Sequence, residues 1–291
     1  MKFLRFHIFL LLALTSCNTI NKDEEIPSFI KIESTDIIPD FLLGSSHHNI
    51  TDVWVSVDGS FIGVFEVPTT IPVFSQGDSE IQIRAGIQNN GMSTERITYP
   101  ITKNFVTTVN LVPSEVVMVE PEFAYFDDLE LHESSEDFGG LGYLITVDSG
   151  ELAQEDDISL DSSPLMDIKV AKLTTSPDDG FEISITSQEI QTTQEGPTML
   201  EFNYKADQTF VVGIKYIIGG DLVEPILIGM TTSENEAGTL EWRKIYIDLA
   251  AQMNFLHSQG VNSYRYYFAT ETSTLSPQIS LDNIKIIHLP E

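Results

Sequence analysis

The sequence predicts an all-β protein built as two sandwich-like units. Apolar and polar residues alternate with period two along most of the chain past residue 27, turn residues such as Asp58-Gly59 and Asn89-Asn90-Gly91 interrupt that alternation, and helical periodicity is confined to one short stretch near residue 250. With 291 residues, 42% of them apolar, the chain is too hydrophobic for disorder and long enough for two ordinary cores. A formal net charge of −29 repels phosphate backbones, which argues against nucleic acid as a partner.

Residues 1–16 read as a signal peptide: Lys2 and Arg5 form a basic start, Ile8 to Leu14 an apolar run too short to span a bilayer, and small residues follow. Leu14-Thr15-Ser16-Cys17 resembles the bacterial lipobox, which implies that Cys17 becomes the lipidated first residue, carrying several acyl chains. Cys17 is the only cysteine, so no thiol would remain for a disulfide, redox work or metal. Residues 17–27 are then a tether. Its Lys22-Asp23-Glu24-Glu25 run resembles the export signal of surface lipoproteins of Bacteroidetes, and a solvated linker would look the same. Cleavage before Cys17 removes Lys2 and Arg5 and takes the charge from −29 to −31, so attachment to the outer membrane is expected to depend on the acyl chains.

Residues 28–115 supply six or seven short strands. Phe29 to Ile32 is the first; Asp52 to Val57 and Ser60 to Phe65 flank the two-residue Asp58-Gly59 link, a strong hairpin signal. Glu80 to Ala85 places Ile81 and Ile83 on one face with Gln82 and Arg84 on the other, and Ile97 to Tyr99 and Phe105 to Val112 complete the set. Such a series suits an immunoglobulin-like or transthyretin-like sandwich. The run from Val57 to Pro68 also resembles a small β-domain near the N-terminus of Bacteroidetes lipoproteins. From Asn104 to Ile168 there are 16 Asp or Glu and no Lys or Arg, and Pro113 and Pro121 bracket a hinge, so the boundary is expected near Ser114 to Glu122.

Residues 122–291 form the second unit. Met199 to Lys205 points Leu200, Phe202 and Tyr204 inward, and Phe210 to Tyr216 does the same with Phe210, Val212, Ile214 and Tyr216. A strand through Glu241 to Leu249, a short helix from Ala250 to Leu256, an aromatic strand from Ser263 to Phe268 and a closing strand from Gln278 to Ile287 follow. This succession resembles the galactose-binding-like β-jelly-roll of carbohydrate-binding modules, which implies a jelly-roll fold and, through aromatic and polar groups, glycan binding.

No nucleophile elbow, His-Glu-x-x-His pair or phosphate loop appears, and Phe138-Gly139-Gly140-Leu141-Gly142 has no lysine to hold a phosphate, so a non-catalytic role is expected. His47-His48 is either a loop or a weak metal pair. The strand beginning at Trp242 carries Trp242, Lys244, Tyr246 and Asp248 on one face and Arg243, Ile245, Ile247 and Leu249 on the other; the second face reads as core, and the first as a half-exposed platform that Arg265 and Tyr267 of the next strand could join. Packing of Trp242 in the core is the competing reading. The jelly-roll resemblance further implies a structural Ca²⁺ held by Asp282 with Glu130, Asp128 or Asp127, against which stands simple hydrogen bonding at a strand edge and an acidic face that is merely solvated. The expected partners are a glycan or other surface ligand, or, if no sugar is bound, envelope proteins that the molecule helps to assemble.

Overall fold

Strand follows strand from residue 28 onward, because β-branched and aromatic residues recur at period two with glycines and Asx residues at the turns. The computed structural model describes residues 24–39, 47–140, 142–159, 168–175, 182–193, 196–271 and 277–290; Cys17, the tether up to residue 23 and the Gly44 to Ser46 segment lie outside them.

The first unit holds β1 (Ser28–Ile32), β2 (Asp36–Ile37), β3 (Ile50–Val57), β4 (Ser60–Glu66), β5 (Thr69–Val73), β6 (Gly77–Gln88), β7 (Arg96–Thr98), β8 (Phe105–Leu111), β9 (Val116–Met118) and β10 (Glu122–Phe123). One sheet runs β4-β3-β6-β7 with β8 also on β6, a second runs β5-β1-β9, and β2 pairs with β10. Their inward residues, among them Ile30, Ile32, Ile71, Val53, Val55, Ile81 and Ile83, form one core. The β3–β4 hairpin turns as expected: Asp58 and Gly59 both take positive φ, at 48° and 76°, the condition of the tight turn whose twist matches the strands.

The second unit holds β11 (Glu130–Leu131), β12 (Ile145–Ser149), β13 (Glu151–Asp156), β14 (Lys169–Thr174), β15 (Glu182–Ser187), β16 (Ile190–Gln191), β17 (Thr198–Ala206), β18 (Phe210–Ile218), β19 (Asp221–Val223), β20 (Ile226–Met230), β21 (Arg243–Asp248), the helix α1 (Ala250–Ser258), β22 (Ser263–Glu271) and β23 (Ile279–His288). Two sheets face each other, one ordered β13-β14-β23-β17-β21 with β11 on β23, the other β12-β15-β22-β18-β19 with β16 on β22 and β20 on β18. Between them lie Leu200, Phe202 and Tyr204 from one side and Phe210, Val212, Tyr264, Tyr266 and Phe268 from the other. Phe202 meets Phe268 edge to face at 5.0 Å between centroids, a favoured aromatic geometry. The fold is therefore all-β with sandwiched sheets. The helix α1 starts where Asp248 Oδ1 accepts the Ala250 N–H at 2.8 Å, buries Met253 and Leu256, and stops at Gly260, whose φ is 70°.

The chain leaves the first unit later than Ser114 to Glu122. β9 and β10 both pair inside the first unit, Phe123 belongs to its core, and the Phe126 N–H donates to Ile101 O at 3.2 Å; β11 is the first strand on the second. Strands of two or three residues leave no periodicity to read, so the proline-flanked segment looked like a linker.

Candidate ligand cleft between the two units

The strand β21 sets the geometry. Ile245, Ile247 and Leu249 enter the core, as the alternation requires, which turns Lys244, Tyr246 and Asp248 to the outer face of their sheet. That face is not solvated, because the first unit docks on it. Asn49 N–H donates to Tyr246 Oη at 2.9 Å and Asn49 Nδ2 to Lys244 O at 3.4 Å, while Asn90 N–H donates to Tyr246 O at 2.9 Å. The Tyr99 ring lies 4.9 Å from that of Tyr246, and Met199, Tyr246 and Ile287 join the first unit's core. The turn at Asn89, Asn90 and Gly91 thus contributes to the interface, with Asn90 and Gly91 at φ values of 54° and 63°.

Beneath the interface runs a buried polar layer. Glu201 of β17 is fully buried and receives Lys244 Nζ at 3.1 Å and the Tyr99 hydroxyl hydrogen. Burial and, after it, the Glu201 carboxylate push the Tyr99 phenol well above its ordinary value, so it stays a donor. One register step along, Asn203 stands opposite Asp282, and Lys285 opposite Glu201; a β-bulge between the two pairs, with Asn283 at φ 48°, keeps both Asp282 and Lys285 on this face. Asn203 Nδ2 is bonded to His47 Nδ1, whereas Asn203 Oδ1 and Asp282 Oδ1 are buried without hydrogen-bond partners among the described residues. Burial raises the Asp282 carboxyl to about 8 and lowers the Lys285 ammonium to about 7. A protonated carboxyl can donate a hydrogen bond where an ionised one can only accept.

At the rim of this interface opens a cleft of about 550 Å³, lined by His47, His48, Asn49, Gln88, Asn90 and Met92 from the first unit and by Trp242, Arg243, Lys244 and Gly229 to Thr231 at the end of β20 from the second. Trp242 precedes β21 and is only partly buried; Lys205 Nζ sits 5.0 Å from its ring, and its indole N–H lacks a partner among the described residues. Lys205 is held by Asp157: burial opposes ionisation of that carboxyl, but the Lys205 and Ser159 bonds outweigh it and bring it to about 2. Gly229, Met230 and Thr231 also border a second, more open hollow of about 710 Å³ that reaches Thr209, Thr270, Glu182 and Glu271. No Asp or Glu lines the first cleft among the described residues.

Of the residues expected to form one platform, the structure brings together Trp242, Lys244 and Tyr246, with Lys244 Nζ 5.7 Å from the Tyr246 ring, but Lys244 and Tyr246 are 5% and 2% exposed and serve the interface. It does not add Arg265 and Tyr267. The helix α1 carries the chain to the opposite sheet, so their side chains leave the sandwich on the far side: Tyr267 Oη donates to Glu224 O at 3.2 Å and covers Gly213, and Arg265 lies 3.8 Å from Glu189. The Ca²⁺ grouping is also not assembled. Glu130 pairs with His288, six residues along β23 from Asp282 and so roughly 20 Å away at about 3.3 Å per residue, while Asp127 and Asp128 are exposed and Asp127 pairs with Lys103 at 2.6 Å. Among the described residues no group of three or more His, Cys, Asp or Glu is placed to hold a metal ion. His47 and His48 point apart, the first to Asn203 and the second, its pKa lowered by burial, accepting the Ile50 N–H at 3.2 Å.

Sequence reading overlooked Tyr99, Glu201, Asn203, Lys285 and the Asn89 to Met92 turn. The available signal was the mixture of both charge signs on the outer faces of central strands, which a solvent-facing reading absorbed.

No protein-family model and no curated protein matches the chain. Among solved structures it is similar to an exo-β-agarase, at 11% identity and a TM-score of 0.36 over 54% of this chain and 25% of that one, so it spans about a quarter of the enzyme's length. It is also similar to a family 29 carbohydrate-binding module from Piromyces equi, at 12% identity and 0.34 over 56% and 92%, and to the C-terminal family 22 carbohydrate-binding module of Clostridium thermocellum Xyn10B, at 10% identity and 0.34 over 53% and 92%.

Proposed function

We propose that the protein is a non-catalytic binding module, anchored to the bacterial outer membrane through acyl chains on Cys17, that takes a saccharide into the cleft between its units. The observation that carries this reading is the cleft's lining: an indole face for apolar C–H surfaces, beside amide, imidazole and guanidinium donors for hydroxyls. In a chain with 44 acidic residues the described lining has no carboxylate, which suits a neutral or anionic sugar and gives no pair of carboxyls for hydrolysis. The adjoining hollow across Gly229, bordered by Glu182 and Glu271, gives room for further units of a neutral chain. β6 spans the first unit lengthwise, twelve residues or roughly 40 Å at about 3.3 Å each, from its tether end to the cleft, so this unit works as a spacer.

The test is a glycan array probed with the purified protein, followed by titration of hits against Trp242→Ala. Saturable binding that the variant loses at least tenfold supports the cleft as the site. Silence across neutral and uronic-acid glycans, with the protein folded, retires the saccharide reading.

A further inference from the structure

Five large apolar side chains are exposed around the point where the tether enters the first unit: Ile26 (58%), Phe74 (68%), Val112, Val116 (54%) and Met118. They come from three segments tied together by backbone pairing. Ser28 registers with Val73 and its hydroxyl donates to Ser75 O at 3.1 Å; the Ser114 N–H donates to Pro27 O at 2.9 Å; Phe29 registers with both Pro72 and Val116. This apolar end is the opposite end of β3 and β6 from the cleft, since both strands run between the Asp58 and Gly77 turns here and the Asn49 and Gln88 positions there.

We infer that this end of the first unit is a membrane-seating surface, its apolar side chains resting in the interfacial layer of the bilayer that holds the Cys17 acyl chains. The inference rests on the lipid anchor proposed above. Eight residues lie between Cys17 and Ile26, a reach of at most roughly 30 Å, so the tether keeps this end of the molecule near the lipid surface. Exposed apolar patches of this kind mark interaction sites, and interfacial contact adds a second attachment to the acyl chains. Glu24, Glu25 and Glu115 flank the patch, so the attraction comes from apolar burial and the fitting surface is zwitterionic rather than anionic.

Lipidation of Cys17 would leave no free thiol in the chain, so Phe74→Cys offers a unique attachment point for an environment-sensitive fluorophore. The lipidated full chain, labelled at Phe74→Cys or at the control Ile217→Cys (64% exposed, on the second unit), is reconstituted on phosphatidylcholine vesicles; the Cys17→Ser counterpart of each stays in buffer. A blue shift at position 74 but not 217, only on vesicles, is the expected result. No shift at 74 in protein that carries acyl mass on Cys17 and floats with the vesicles overturns the inference and leaves the anchor intact. A concentration-dependent shift at 74 in the Cys17→Ser protein in buffer overturns it in favour of a second copy of the chain. Absence of acyl mass and of flotation removes the anchor reading, and the inference falls with it.

Discussion

Replacing Asp282 by Asn should make the protein more stable at neutral and alkaline pH while changing little in acid. Asp282 is 3% exposed on the face of β23 beneath the interface, with Asn203 opposite and Asp137, Lys285 and Lys244 as its charged neighbours, and burial pushes its carboxyl from an ordinary 3.8 to about 8. Because the folded value lies above the unfolded one, the folded state binds the extra proton between the two. The associated stability is present in full below pH 4 and is lost as pH rises through 8. Each pH unit inside that window costs about 1.4 kcal/mol, so the wild type should lose about 3 kcal/mol relative to Asp282→Asn between pH 5 and pH 7, with a ceiling on the order of 5 kcal/mol above pH 8. The amide keeps a donor hydrogen where the protonated acid had one. Lys285, whose ammonium burial depresses to about 7, adds stability that is present above its unfolded value and lost as pH falls toward 7; the Asp282 charge is one of those that raise it, so the difference between the two proteins reports Asp282 together with its coupling to Lys285. Equilibrium urea unfolding at pH 5, 7 and 9 measures the difference. Parallel curves for the two proteins would refute the reasoning.

Lys244→Met removes the ion-pair partner of the buried Glu201 carboxylate, leaving it the Tyr99 hydroxyl and Lys285 opposite, and should cost about 3 kcal/mol in urea unfolding, whereas Glu201→Leu combined with Lys244→Met should recover most of it. Arg96 bridges Asp52, a fully buried acid of β3, and Glu66; Arg96→Met should lower the urea midpoint, and Arg96→Lys should restore only part, because an ammonium cannot present the guanidinium's fork to two carboxylates. Gly213→Ala places a methyl 2.4 Å from the Tyr267 ring and 2.5 Å from Pro225 O, and since the second of these is backbone the melting temperature should fall, by about 1–3 kcal/mol of stability.

What the sequence disclosed was local. The Asp58-Gly59 turn could be read because both positions need positive φ, and Leu200, Phe202, Tyr204, Tyr264, Tyr266 and Phe268 could be assigned to a core because alternation fixes which residues share a face. Alternation does not say what covers that face. Lys244 and Tyr246 share a face with Trp242, as their spacing requires, yet the first unit buries them, a contact between residues 197 positions apart. The same limit explains Arg265 and Tyr267: alternation alone makes consecutive strands look like neighbours, whereas the helix between them carries the chain to the other sheet. For Asp282 and Glu130 the deciding quantity was register along β23, which depends on pairing with β11 and on the bulge at Asn283.

A buried layer of Glu201, Lys244, Asn203, Asp282 and Lys285 is an expensive way to join two domains, since apolar residues of equal volume often hold at least as well. What ions and amides add is direction. Tyr99 can reach Glu201, Asn49 can reach Tyr246, and Asn89 Oδ1 can accept the Asp248 N–H at 3.2 Å in one relative placement of the units, whereas a greasy seam tolerates several. The cleft needs that single placement because its walls come from both units. The variant combining Glu201→Leu with Lys244→Met separates the two contributions. If the polar layer fixes placement, that protein will match the wild type in urea but will exchange amide hydrogens faster at Asn89 to Met92, where the first unit's turn meets β21. Unchanged protection there, at equal stability, would mean that the remaining hydrogen bonds fix the placement and that the Glu201–Lys244 pair contributes only to holding the units together.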